Sequence, residues 1–203
     1  MLERTDSATY LGVELSSDLT WAAHINKTCK KANKSLAFLR RNLKIKDPKI
    51  KEMAYKGLVR PVLEYCSPVW NPHHSKYIDM LEMIQRRAAR YTMNNYQTYS
   101  SVSDMIDRLG WESLAARRIR ADIIIFYKIQ NSLIAVPMPA AVRRPYRFKP
   151  ETPHTFDKLF CYTVSYQQSF FPRIILQWND LPPTIATMGS LDTFKAALAP
   201  HKF

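Results

Sequence analysis

The most regular stretch of this sequence is residues 19–44, LTWAAHINKTCKKANKSLAFLRRNLK. Its apolar side chains recur at spacings of four and three, the repeat of one face of an α-helix. They are Ile25, Cys29, Ala32, Leu36, Leu39 and Leu43. The opposite face carries Lys27, Lys30, Lys31, Lys34, Phe38 and Arg41. The pattern predicts a long helix that packs by its apolar side and leaves a basic side exposed.

Helical spacing continues through most of the chain. Residues 75–93, 100–109 and 111–133 predict three further helices, and Ser190 is a typical cap for a last short one. Asp122 follows Arg118 by four residues, which predicts an ion pair within one helix. The expected fold is therefore mainly α, a helical bundle with a short N-terminal strand and an irregular, aromatic-rich C-terminal segment.

Another helix is expected to begin at Pro48, because Asp47 is a good N-cap and proline suits the first helical position. Its apolar residues are predicted to face the core. They are Ile50, Met53, Ala54, Gly57 and Leu58.

A short strand is predicted near the N-terminus, over residues 9–15, where strand formers surround Gly12. A strand needs a partner, and none is recognisable in the helical region that follows. This pattern suggests that the partner belongs to sequence preceding this chain.

The chain divides by composition into four parts. Residues 1–15 hold the strand, residues 16–133 the helical domain, residues 134–155 a basic, proline-rich linker, and residues 156–203 a small C-terminal segment with short helices. The linker alternates prolines with Arg143, Arg144, Arg147 and Lys149.

The formal net charge is +13, from 30 Lys and Arg against 17 Asp and Glu. Residues 1–60 hold 13 basic and 6 acidic side chains, a local excess of +7. Such an excess favours polyanionic partners, nucleic acid before an anionic membrane surface, although an inert basic surface is the plain alternative. No apolar run approaches the ~20 residues of a membrane span, so no membrane association is expected.

Several chemistries are disfavoured by the residue pattern. Two-metal nucleotidyl transfer needs carboxylates close together, and the sequence has no adjacent acidic pair. Cys66 with His73 and His74 is too small a set for tetrahedral zinc, so no cofactor is expected. Three widely spaced cysteines fit a reducing compartment, hence an intracellular location in the nucleus or cytoplasm.

Two groups of residues are candidate nucleic-acid contacts. The basic face of residues 27–41 is the first, with Phe38 as a base-stacking side chain. The second is Arg86, Arg87 and Arg90, since arginine grips phosphate bidentately. The alternatives are a solvated lysine face with Phe38 packed against another element, and arginines paired with Glu82 or Asp79.

Short blocks along the chain resemble the region after the palm of non-LTR retrotransposon reverse transcriptases, especially the jockey-like class. They are YLGV at 10–13, LTW at 19–21, FLRRNL at 38–43, LVRPVLEY at 58–65, SPVW at 67–70, QRRA at 85–88, LGW at 109–111, SFFPR at 169–173 and WNDLP at 178–182. The blocks occur in the family's order and cover nearly the whole chain.

The resemblance implies a thumb-like helical bundle that holds RNA or a DNA/RNA template–primer without sequence preference. It also implies a fragment that does not polymerise alone, because the family's fingers, palm and catalytic aspartate pair are not matched. The palm and fingers of the same polymerase would then be partners. Two other possibilities stay open, an orphan helical interaction module and a relic with no selected function.

Overall fold

The computed structural model describes residues 5–144, 154–201 and 203, and the fold is mainly helical with a short two-stranded N-terminal sheet. The chain forms two compact units, residues 1–115 and residues 116–203. The hairpin belongs to unit 1, and residues 116–133 belong to unit 2, so the units divide earlier than the composition of the chain suggests. Among the described residues, every helix is too short or too polar to cross a lipid bilayer.

Unit 1 begins with an antiparallel hairpin of β1 (Ser7–Tyr10) and β2 (Val13–Ser16), in which Tyr10 pairs with Val13. The expectation of a partner upstream is therefore wrong, since the strand pairs with its own sequence neighbour. Leu11 and Gly12 form the turn with φ of 47° and 83°. Positive φ at both central residues is the geometry of a tight hairpin, but leucine is an unusual residue there, which hides the turn in the sequence.

Helix α1 (Ala22–Asn42) follows the hairpin and is the longest helix of unit 1. The predicted apolar stripe is its buried side, with Ile25, Cys29, Ala32, Leu36 and Leu39 in the core. The helix begins a turn later than the pattern suggested. Leu19, with a φ of 56° and 72% exposure, lies outside it.

Helix α2 (Pro48–Leu58) begins as predicted, with the Asp47 carboxylate accepting from the Lys49 backbone N–H at 2.9 Å. Its orientation is the reverse of the prediction. Lys51 and Tyr55 are buried, whereas three of the apolar residues expected inside are 40–73% exposed. They are Ile50, Met53 and Leu58.

Polar partners inside the core explain this reversal. The Tyr55 hydroxyl donates to Gln85 Oε1 at 2.9 Å, and the Tyr55 ring stacks on Trp111 at 4.5 Å. The Lys51 ammonium donates to the Tyr91 carbonyl at 3.2 Å and to the Asn94 side chain. Long side chains whose polar ends find partners occupy the inner face and displace smaller apolar ones.

The other elements of unit 1 that the structure describes are helices. Two short helices, α3 (Arg60–Glu64) and α4 (Ser67–Trp70), lead to the long α5 (Ser75–Thr92). Helix α6 (Val102–Arg108) is capped by Ser101, whose hydroxyl accepts from the Asp104 N–H. Gly110, at a φ of 61°, follows it, as the sequence predicted.

Helix α7 (Leu114–Gln130) contains the division between the two units. Among the described residues of unit 2, four shorter helices follow, α8 (Val164–Gln167), α9 (Phe170–Asn179), α10 (Pro183–Ala186) and α11 (Leu191–Leu198). Its core is aromatic, built around Phe126, Phe156, Trp178 and Phe194. Ser190 caps α11 as predicted, accepting from the Thr193 N–H at 3.2 Å.

The predicted linker is described in part. Residues 134–144 form neither helix nor strand, while residues 145–153, which include Arg147 and Lys149, lie outside the described residues. Residues 156–169 hold no strand and contain the single turn α8.

A buried ion pair joins two helices of unit 2. Asp122 of α7 is wholly buried and accepts through Oδ2 from Arg173 of α9, at 3.2 Å from Nε and 3.0 Å from Nη2. Arg173 also donates to the Gln168 carbonyl at 2.6 Å. The fold thus gives Asp122 a partner fifty-one residues away in sequence, which local spacing does not predict, while the pair with Arg118 on the same helix stays a prediction.

Candidate nucleic-acid interface

The basic side of α1 is exposed along its length. Lys27, Lys30, Lys31, Lys34 and Arg41 are all exposed, and the Phe38 ring is 54% exposed. The buried stripe on the other side of the helix fixes this orientation, because it anchors α1 in the core. Phe38 is therefore more than half exposed rather than buried against another element.

Among the described residues, the carboxylate that pairs with this surface lies at its Lys27 end. Lys27 Nζ lies 3.1 Å from Glu14 Oε2 on β2, with side chains 59% and 21% exposed. In the part of the chain that the structure describes, Lys30, Lys31, Lys34 and Arg41 form no ion pair within 4.0 Å. Such an exposed pair is worth about 1 kcal/mol or less, so Lys27 can exchange Glu14 for a phosphate.

The N-terminal half of this surface is concave. A shallow groove runs along α1 beside β2, lined by Glu14, Ala23, Asn26, Lys27, Lys30, Lys31 and Lys34. We call it the lysine groove. Four ammonium groups around one concavity create a positive potential that attracts a polyanion. The Asn26 amide adds a neutral donor that the helical pattern did not predict.

The arginines of α5 fall into two kinds. Arg86 and Arg87 are exposed, and Arg87 Nη1 donates to Asn33 Oδ1 of α1 at 3.2 Å, which places a further cation beside the basic side of α1. Arg90 is half-buried and donates to the carbonyls of Gln97 and Ser100 at 3.0 and 3.4 Å. Arg90 therefore holds the loop after α5 through two backbone carbonyls.

Comparison of the chain with protein-family models, curated proteins and solved structures finds no match.

One cation near this surface was not predicted. Arg40 lies with its guanidinium 5.4 Å from the centroid of the Tyr96 ring, a cation–π contact that leaves the charge at the surface. Its position on α1, one residue before Arg41, widens the basic surface near the C-terminal end of the helix. A signal for it was present in the Arg40-Arg41 pair, but the aromatic partner comes from a distant loop.

No metal site accompanies these residues. Within residues 5–144, 154–201 and 203, no three His, Cys, Asp or Glu side chains lie together as metal ligands would. The His73 and His74 rings lie 4.0 Å apart, and Cys66 is a half-buried free thiol.

His24 connects α1 to the strand that bears Glu14. Its buried ring accepts from the Glu14 backbone N–H through Nδ1 at 3.2 Å, and Nε2 lies 3.4 Å from Thr28 Oγ1. The ring also packs on Trp70 at 5.2 Å. Burial lowers the pKa of His24 below its ordinary value, and the opposing attraction of the Glu14 carboxylate is the smaller effect.

Stability should therefore fall in acid. Because the pKa of His24 is lower in the folded than in the unfolded chain, the unfolded chain binds more protons once the pH drops through 6.5. We expect urea unfolding at pH 5 to show a lower free energy of unfolding than at pH 7.5. His24→Asn keeps an acceptor for the Glu14 N–H and should reduce this difference, with the remainder due to buried His154, whose pKa burial also lowers.

Thr28→Val is the matched control, since it removes the hydroxyl beside Nε2 but leaves the imidazole able to titrate. It should keep the full pH dependence. An undiminished pH dependence in His24→Asn would show that other groups cause the acid sensitivity.

Proposed function

We propose that this chain corresponds to the thumb and following region of a non-LTR, jockey-like retrotransposon reverse transcriptase, and that the basic side of α1 holds RNA or template–primer. The ordered sequence blocks and the helical fold support this assignment. In this proposal the chain does not polymerise nucleotides itself, and the palm and fingers of the same polymerase supply the carboxylates for that chemistry.

The observation that carries the proposal is the row of exposed cations on α1 that have no carboxylate partner among the described residues, namely Lys30, Lys31, Lys34 and Arg41. From Lys27 to Arg41 the helix rises about 20 Å, which is the length of roughly six nucleotides of a stacked strand. Each phosphate that replaces a condensed counterion at these cations gains affinity through ion release. Contacts of this kind are independent of base sequence.

The experiment that tests the proposal is a salt titration of binding to a short RNA hairpin, followed by fluorescence anisotropy. We expect the logarithm of the association constant to fall linearly with the logarithm of salt concentration, with a slope of about −3 to −5 for four to six neutralised phosphates. Affinity that is unchanged between about 50 and 200 mM salt would contradict the proposal.

Phe38 is expected to contribute through stacking. Phe38→Leu should weaken binding to single-stranded RNA by about 1 kcal/mol or somewhat more, because a base stacked on the ring loses its platform. Since the ring is 54% exposed, the free energy of unfolding should change by about 0.5 kcal/mol or less. Phe38→Trp should bind like the native chain in the same assay, because tryptophan also offers a stacking surface. Equal affinity of the Phe38→Leu variant and the native chain would show that Phe38 is not part of the interface.

A second candidate function, a helical interaction module without a nucleic-acid role, is favoured by the apolar hairpin. Tyr10, Leu11 and Leu15 are 68%, 72% and 40% exposed, and contiguous exposed apolar surface is typical of protein contacts. Sedimentation at two protein concentrations and two salt concentrations separates the candidates. A salt-insensitive oligomer that binds no RNA would favour the interaction module.

A further inference from the structure

Helix α2 presents an apolar ridge to solvent. We call it the α2 ridge, and it consists of Ile50, Met53, Gly57 and Leu58. The three side chains are 40%, 73% and 54% exposed, and their spacing puts all four residues on one side of the helix. Single exposed apolar residues are ordinary, but a continuous helical stripe turned outward is typical of a docking surface.

Gly57 lies in the middle of this ridge. Apart from its chain neighbours and the backbone of its own helix, a Cβ placed on Gly57 would meet no heavy atom within 4 Å, so no contact within the fold requires the residue to be glycine. Glycine inside a helix is unfavourable relative to alanine. The missing side chain leaves a notch between Met53 and Leu58, and small residues at a helix–helix contact let the two axes approach closely.

The charges beside the ridge favour a partner with an acidic surface. At 100° per residue, Lys49 and Lys56 lie along one flank of the ridge, and Arg60 follows at the start of α3. Lys56 pairs with Glu52 and Arg60 pairs with Glu64, each four residues away. Both ion pairs are partly exposed and individually weak. A second copy of this chain, which carries a net charge of +13, would bring like charges together.

We propose that the α2 ridge docks an amphipathic, acidic helix from another polypeptide, with apolar residues at helical spacing facing the ridge and carboxylates along the flank that meets Lys49 and Lys56. Its anchor side chain enters the notch at Gly57, as in helix-in-groove recognition. This surface is separate from the lysine groove and does not depend on nucleic-acid binding.

The probe is a designed, fluorescein-labelled peptide of about four helical turns, with leucines at positions i, i+3, i+4 and i+7 and glutamates along one flank. The full chain should bind this peptide, and the methyl NMR signals of Ile50 and Met53 should shift on binding. A control peptide with lysine in place of each glutamate should bind at least about tenfold more weakly. Failure of the glutamate peptide to bind, or equal binding of the lysine peptide, would overturn the proposal.

Gly57→Gln separates an effect on peptide binding from an effect on stability. The substitution replaces a helical glycine by a better helix former in open space, so the melting temperature should stay the same or rise. Peptide affinity should nevertheless fall by about tenfold or more, since the notch is filled. Gly189→Gln, at an exposed glycine of unit 2 that also has open space around it, is the matched control and should bind the peptide like the native chain.

Two outcomes with Gly57→Gln would overturn the assignment. Peptide binding equal to that of the native chain would place the contact elsewhere. Self-association of the native chain that disappears in this variant would make a second copy the occupant of the ridge. RNA-hairpin binding should be unchanged in Gly57→Gln, so that a failure here is distinguishable from a failure of the proposed function.

Discussion

Replacing Lys30, Lys34 and Arg41 together by glutamate is expected to weaken binding to an RNA hairpin by about two to three orders of magnitude at about 50 mM salt. The three cations lie on the exposed side of α1, and none has a carboxylate partner among the described residues. Reversal removes three phosphate contacts and adds repulsion. The salt-dependence slope should become shallower by roughly 2 to 3 units, and anisotropy titrations at several salt concentrations measure both quantities.

The matched control changes the net charge by the same amount at another place. Arg143, Arg144 and Lys158 are exposed residues of unit 2, and their replacement by glutamate should weaken binding less than reversal on α1. Circular dichroism should show native helix content for both variants. A larger loss from the unit 2 variant would move the site to the proline-rich segment, and equal losses would show that net charge alone governs binding.

Asp122→Ala is expected to lower the free energy of unfolding by about 3–5 kcal/mol, the usual result of removing one member of a buried ion pair. Asp122 is wholly buried, and Arg173 is only 12% exposed. Without the carboxylate, the largely buried Arg173 guanidinium keeps its contact with the Gln168 carbonyl but loses the negative charge that it faces. Urea unfolding, monitored by fluorescence and circular dichroism, measures the change.

A double variant distinguishes the contribution of the two charges from that of the volume that the two side chains fill. Asp122→Leu with Arg173→Met replaces both charges by apolar groups, and the loss of stability should be smaller than in Asp122→Ala. Lys56→Ala is the comparison at an exposed pair with Glu52, where about 0.5 kcal/mol or less is expected. A double variant as unstable as Asp122→Ala would show that the site needs its shape or its other polar contacts rather than charge balance.

How far the fold is predictable depends on the length of each pattern. Helix α1 was predictable because twenty-one residues repeat one apolar stripe, and a stripe of that length has one way to be buried. The buried side of α2 was predicted wrongly, because it depends on residues that are distant in sequence. Gln85, Tyr91 and Trp111 give Tyr55 and Lys51 their partners. Local periodicity contains no information about such partners.

The candidate site shows the same division. The phase of α1 predicts that Lys30, Lys34 and Phe38 share the outward side of the helix. The contact between Arg87 and Asn33 joins two helices, and Arg90 is held by loop carbonyls, so neither follows from the spacing of the arginines alone.

The amino-acid sequence by itself determined the helical class, the helix starts at Asp47 and Ser190, and the basic side of α1. These properties depend on interactions within a few turns of chain, which composition and spacing describe. Only the tertiary structure decided that α2 turns its apolar side outward and that Asp122 pairs with Arg173. Both result from long-range competition for the core, in which the side chains that find polar partners stay inside, and that competition depends on three-dimensional proximity.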